Sequence, residues 1–104
     1  MSQNVPGRLI GLVEYQEGAV VSKTLIKKSG GTVTLFAFDG GQELSEHSTS
    51  FEAMVVVLDG AAEMTVANRR YTVKQGETLM LPAGVPHAVK AVERFKMLLT
   101  MVRP

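Results

Sequence analysis

Gly76-Glu77-Thr78-Leu79-Met80-Leu81-Pro82-Ala83-Gly84-Val85-Pro86-His87 is the stretch whose reading decides the fold. It has the form G-x5-P-x-G-x2-H. Residues 79–81 read as an apolar strand that runs into a Pro-x-Gly turn, with a histidine close behind. Pro82 fixes φ and offers no N–H, which suits a strand end or bulge. Gly84 permits the positive φ of a tight turn. A next strand beginning near His87 sets that imidazole at the end of a sheet. A histidine held by rigid strands is a candidate for ligand or proton chemistry.

Outward from this stretch the pattern is strands and turns almost throughout. On the C-terminal side, residues 88–92 and 95–102 read as the closing strands. On the N-terminal side, residues 63–66 and 70–73 form a hairpin about the turn Ala67-Asn68-Arg69, and Lys74-Gln75-Gly76 turns again. Residues 53–58 form an apolar strand expected to close at Asp59-Gly60. Further back, residues 20–27 and 32–38 pair as a hairpin across Ser29-Gly30-Gly31, and Asp39-Gly40-Gly41 ends it. Residues 8–13 are a short apolar segment. No segment carries a helical period with a cap at its start. Short strands separated by Gly-bearing turns predict an all-β sandwich or barrel.

Several strands are apolar at consecutive positions, such as Met54-Val55-Val56-Val57-Leu58 and Met97-Leu98-Leu99. A strand apolar on both faces must be covered on both faces. One face would be a barrel lumen. The other is expected to meet a second sheet or a second subunit, which predicts a homodimer.

At 104 residues and 45% hydrophobic content the chain is expected to form one domain, residues 1–104, with a real core. It has no cysteine, so disulfides and thiolate sites are excluded. The opening Met1-Ser2-Gln3-Asn4-Val5-Pro6-Gly7 lacks the basic and apolar regions of a signal peptide. No apolar run reaches the length of a membrane span. The expected setting is therefore cytoplasmic, with no membrane partner. The net charge of +1 is spread over interspersed acids and bases. Lys27-Lys28 and Arg69-Arg70 sit beside turns and read as solvated, and there are six aromatics and no Trp. No nucleic-acid partner is expected.

The 76–87 stretch resembles the second conserved motif of the cupin superfamily, the small conserved barrels of the cupin 2 type. That motif is G-x5-P-x-G-x2-H-x3-N; Gly76, Pro82, Gly84 and His87 match, and Ala91 stands where Asn is usual. The family's first motif is G-x5-H-x-H, three or four residues, Glu, six residues, Gly. Gly41, His47 and Gly60 match it, while Thr49 replaces the second histidine and Ala53 the glutamate. The resemblance spans about residues 32–92. It implies a single-domain cupin-like β-barrel (a double-stranded β-helix or jelly roll). It also implies a divalent metal held inside the barrel by three histidines and a glutamate, of which only His47 and His87 carry over here.

Zinc sites want at least three protein ligands, and non-haem iron wants two histidines and a carboxylate. Thr49 is a poor ligand and Ala53 has nothing to donate. Strand alternation turns the nearest carboxylates, Glu46 and Glu52, away from the lumen. No cofactor is therefore assigned. A two-histidine site finished by waters or a bound carboxylate would hold Zn, Ni, Fe or Mn only weakly. A Met–His site for Cu(I) is a further alternative. Without a metal, the two imidazoles are polar residues of a lumen.

By alternation the inward positions are His47, Thr49, Ala53, Val55, Val57, Met64, Val66, Met80, His87 and Val89. The ligand pocket is assigned to His47, Thr49, Ala53, Val55, Val57, Met64, Met80 and His87, with His47 and His87 the candidate catalytic or metal-binding residues. The leading function is a small-molecule-binding barrel with a degraded metal site, for sensing or sequestration. One alternative is an enzyme. It would be a metal-dependent dioxygenase, isomerase or decarboxylase as the resemblance implies, or a metal-free enzyme with a histidine as acid or base. A purely structural domain is the other.

Overall fold

The structure is a computed structural model that describes residues 5–104. The sequence reading of the first four residues lies outside that range. The elements are a 3-10 turn, Leu9–Leu12, and eight strands: β1 Val20–Lys28, β2 Gly31–Phe38, β3 Glu43–His47, β4 Glu52–Val66, β5 Arg69–Lys74, β6 Thr78–Leu81, β7 His87–Lys90 and β8 Phe95–Val102. Every pairing is antiparallel. The strand order is β1-β2-β8-β4-β7-β3, with β5 and β6 also pairing with β4, so the sheet curls into the expected all-β barrel. No helix of the described residues is long and apolar enough to cross a membrane.

The 15-residue β4 builds both halves. Its first part pairs with β6 and β8, and its second part with β5 and β7. Asp59-Gly60, expected to end a strand, is instead the corner where β4 leaves one sheet for the other. The register slips between Val57 and Asp59, and Gly60 adopts φ +71°. A bulge bends a strand and raises its twist, which is how one strand serves two sheets. A D-G pair reads locally as a turn. Here the hydrogen bonds of β8 carry the strand through it.

The β4–β5 hairpin closes on two residues, Ala67 (φ +51°) and Asn68 (φ +67°), between the paired Val66 and Arg69. Two consecutive left-handed residues match the twist of the flanking strands. Asn tolerates that conformation and Ala does not. Ala67→Gly is therefore expected to raise stability by about 0.5–1 kcal/mol, read as a higher urea midpoint.

The main core lies between the two sheets and centres on Phe38, Val55, Val57, Met64, Phe95 and Met97. A second, smaller core lies on the outer side of β2, where Leu35 and Ala37 are fully buried. The covering there comes from the chain's own N-terminal segment: Leu9, Leu12, Val13 and Tyr15 pack onto Leu35, Ala37, Leu58 and Leu98. Polar contacts fasten this strap. The Tyr15 hydroxyl donates to Asp59 Oδ2 at 2.6 Å, and Lys96, 7% exposed, donates from Nζ to the Ile10 carbonyl at 2.8 Å. Arg94 and Lys96 both lie over the Tyr15 ring, at 5.2 and 4.9 Å from its centroid. Burial, and then the bond to Asp59, push the Tyr15 phenol well above its usual pKa. Covering that the double-faced apolar strands assigned to another sheet or subunit is thus supplied in part by residues 9–15.

Candidate functional site

His47 ends β3 and His87 begins β7, and the two are direct cross-strand partners. Their ring centroids lie 4.4 Å apart with the planes at 65°, an edge-on contact. A bulge makes this meeting happen. Leu44 pairs with Val89 and His47 with His87, so Ser45 and Glu46 together oppose Ala88. The extra residue restores the face, and Leu44 and His47, three positions apart, both line one cavity.

That cavity has a volume of about 190 Å³. Besides the two imidazoles its polar member is Thr49, whose Oγ1 accepts from the Phe51 N–H at 3.3 Å. Ala53 and Val55 of β4, Leu81 of β6 and Val89 of β7 form one part of the wall. Met97, Leu99 and Met101, alternate residues of β8, form another. His47 is exposed whereas Val55 and Met97 are almost fully buried, so the mouth lies at the histidine end.

The carbonyls of the histidines' own strands and turns set their tautomers. His47 Nδ1–H donates to the Ser45 carbonyl at 2.8 Å, and His87 Nδ1–H to the Val85 carbonyl at 3.2 Å. A carbonyl only accepts, so the proton of each neutral ring sits on Nδ1 and the lone pair on Nε2. Two Nε2 acceptors are thus left for whatever occupies the cavity.

His87 is 6% exposed. Burial, reinforced by the neighbouring His47, holds its pKa below the ordinary 6.5, against the opposing pull of the Val85 bond. The charged form is disfavoured in the folded state only. Above that ordinary value both states are neutral and stability is unaffected. As pH falls through about 6.5 the unfolded chain takes the proton first, and stability is lost until the folded histidine also titrates. The urea midpoint of the wild type is expected to drop as pH falls from about 8 to about 5, more steeply than that of His87→Gln.

Of the residues assigned to the pocket from sequence, His47, Thr49, Ala53, Val55 and His87 line the cavity. Three do not. Met80 is 55% exposed: it pairs with Met54, which also faces outward, while its neighbours Leu79 and Leu81 face in opposite Val55 and Ala53. Val57 and Met64 are fully buried, but they pack in the core deeper than the cavity. Sequence reasoning missed Leu44, because the bulge breaks the alternation counted from His47. It also missed Leu81 and the β8 wall, because strands apolar at every position carry no parity signal.

The donor set does not fit the metal that the resemblance implies. Among the described residues no group of three or more His, Cys, Asp or Glu converges on a point. Glu46 and Glu52 are exposed, and Glu52 pairs with Val102. Two imidazoles and a neutral hydroxyl fall short of a closed or catalytic metal shell.

The chain matches the family model for the cupin domain over residues 34–102. It is similar to a conserved protein of unknown function from Streptococcus pyogenes, at 38% identity and a TM-score of 0.96, covering 100% of this chain and 91% of that one. A cupin 2 conserved barrel domain protein from Leptotrichia buccalis shares 44% identity with a TM-score of 0.89; the match covers 91% of this chain and 46% of that one. A cupin superfamily protein from Desulfitobacterium hafniense shares 29% identity with a TM-score of 0.94, covering 100% and 95%. No curated protein matches the chain significantly.

Proposed function

The chain belongs to the cupin family, and from that premise we propose that it is a single-domain barrel that binds a small molecule in the cavity behind His47 and His87. The observation that carries this reading is the cavity of about 190 Å³ with apolar walls and two Nε2 acceptors at its mouth. A mostly apolar hollow with a few convergent polar groups is the usual form of a small-ligand site. The role is binding, of the kind that sensing or sequestration uses. A metal-dependent activity would need an ion that this donor set does not fit, so no reaction step is assigned.

Native mass spectrometry of gently purified protein, with calorimetry of any molecule recovered, tests the reading. Ala53→Leu projects a larger side chain into the cavity and is expected to abolish binding while the fold persists. Binding undiminished in Ala53→Leu would place the ligand elsewhere and sink the proposal.

The assembly we propose is a homodimer through the outer face of the sheet. Ile26, Met54, Met80 and Val102 are exposed there, and the pairings Met80–Met54–Thr100–Val33–Ile26 set most of them in one row. Lys28 and Glu52 lie at opposite ends of the neighbouring row through Gly31 and Val102. A two-fold axis lying between the two packed faces and running along the strands would set Lys28 of each copy against Glu52 of the other, the self-complementarity an isologous contact requires. Light scattering should give twice the chain mass. A monomer at high concentration, or a dimer untouched by Met54→Lys, would refute this face.

A further inference from the structure

The binding proposal above leaves open what kind of molecule the cavity takes, and the next step rests on it. We infer that the occupant is a neutral, mainly apolar molecule about the size of one six-membered ring, whose hydroxyl donates directly to one imidazole of the histidine pair with no metal between.

Size comes first. A buried apolar cavity of roughly 150 Å³ is enough to hold benzene. The volume here is about 190 Å³, which admits one ring and a small substituent but not a nucleotide or a sugar pair. Polarity comes second. Both Nδ1 protons are taken by the Ser45 and Val85 carbonyls, so the pair presents acceptors only. Thr49 Oγ1 already accepts from Phe51 N–H, which leaves its own proton free to donate. A hydroxyl has one proton and two lone pairs. It can donate to an imidazole Nε2 and accept from Thr49 at once, whereas a bare hydrocarbon leaves all of these groups unpaired.

Charge comes third. No Lys, Arg, Asp or Glu lines the cavity. A carboxylate would shed its hydration with no cation to meet it, and it would face imidazole lone pairs. An ammonium would find acceptors but no anion. The apolar wall and neutral acceptors therefore select an uncharged donor.

Calorimetry on the full chain, stripped with EDTA and held just above neutral pH, separates these terms with three probes of equal girth. They are p-cresol, toluene and p-toluate. We expect p-cresol to bind, toluene to bind about 5- to 100-fold more weakly, and p-toluate more weakly than p-cresol. Added nickel or zinc should leave the p-cresol affinity within about twofold. One hydroxyl proton reaches one Nε2 at a time, so the deciding variant removes both acceptors. In His47→Ala/His87→Leu p-cresol should fall to the toluene level while toluene stays unchanged, which also shows that the cavity has kept its fold.

Toluene matching p-cresol, p-toluate exceeding it, or p-cresol binding only with added metal would each overturn the inference. So would the absence of saturable binding by all three. Those results leave the parent reading to its own test, since a co-purified ligand lost in Ala53→Leu would still support a binding barrel of different selectivity.

Discussion

Gly60→Ala is expected to destabilise the protein by about 2–5 kcal/mol, a large part of the stability of a domain this size. Two effects add. Gly60 holds φ +71°, a conformation that costs an L-residue roughly 1–2 kcal/mol. A Cβ at this position would also fall inside the contact shell of the Arg94 carbonyl oxygen and press on Phe95 Cα. The obstacle is backbone at the entry to β8, which cannot swing aside as a side chain could, and overpacking of this kind costs roughly 1–3 kcal/mol. Gly76 provides the control. It has φ +84° but nothing within 4 Å of an added Cβ, so Gly76→Ala should show only the conformational part. Urea unfolding of both variants reads the difference. Equal losses would show that the β4 corner tolerates the extra carbon and that the close approach to β8 is not what demands glycine there.

Phe38→Ala is expected to cost about 3–5 kcal/mol, which lowers Tm by roughly 15–30 °C. Phe38 and Phe95 are direct partners across β2 and β8, both fully buried. Their rings stack with centroids 4.5 Å apart and planes at 14°. Phe36 lies 6.1 Å from Phe38 at a tilt and is only partly buried, so Phe36→Ala should cost less. The truncated site is walled by strands on several sides and can collapse only partly, which puts it at the upper end for such deletions. Thermal and urea unfolding measure the loss. A cycle with Phe38→Leu and Phe95→Leu isolates the ring–ring contribution, expected near 1 kcal/mol. A loss below that of Phe36→Ala would mean that the stack does not anchor the core.

The barrel was legible because turn chemistry and strand composition agree along most of the chain. Ser29-Gly30 and Ala67-Asn68 mark the hairpins where they are found. Pro82 and Gly84 sit in the turn ahead of His87. What escaped sequence reading was each feature decided by a partner far along the chain. Asp59-Gly60 is a strand corner because β8 lies alongside it. Met80 faces outward because Leu81 pairs with Ala53, and three consecutive apolar residues give no local hint of that choice. β3 itself is a five-residue polar strand, ELSEH, with little β-propensity of its own. It forms because β7 offers it an edge. The strap at residues 9–15 has no period, and its docking depends on Asp59 and Lys96 in distant strands.

The doubled residue opposite Ala88 has an evolutionary corollary. His47 reaches the lumen because Ser45 and Glu46 share one rung. Deleting either would leave one residue opposite Ala88, so Leu44 and His47 would stand two positions apart in a regular pleat and the ring would still face the lumen. A lineage could therefore lose this bulge by a single-codon deletion and keep the pocket. Homologues that keep His47 in an alignment but lack one of the two preceding residues should be scored as retaining the site.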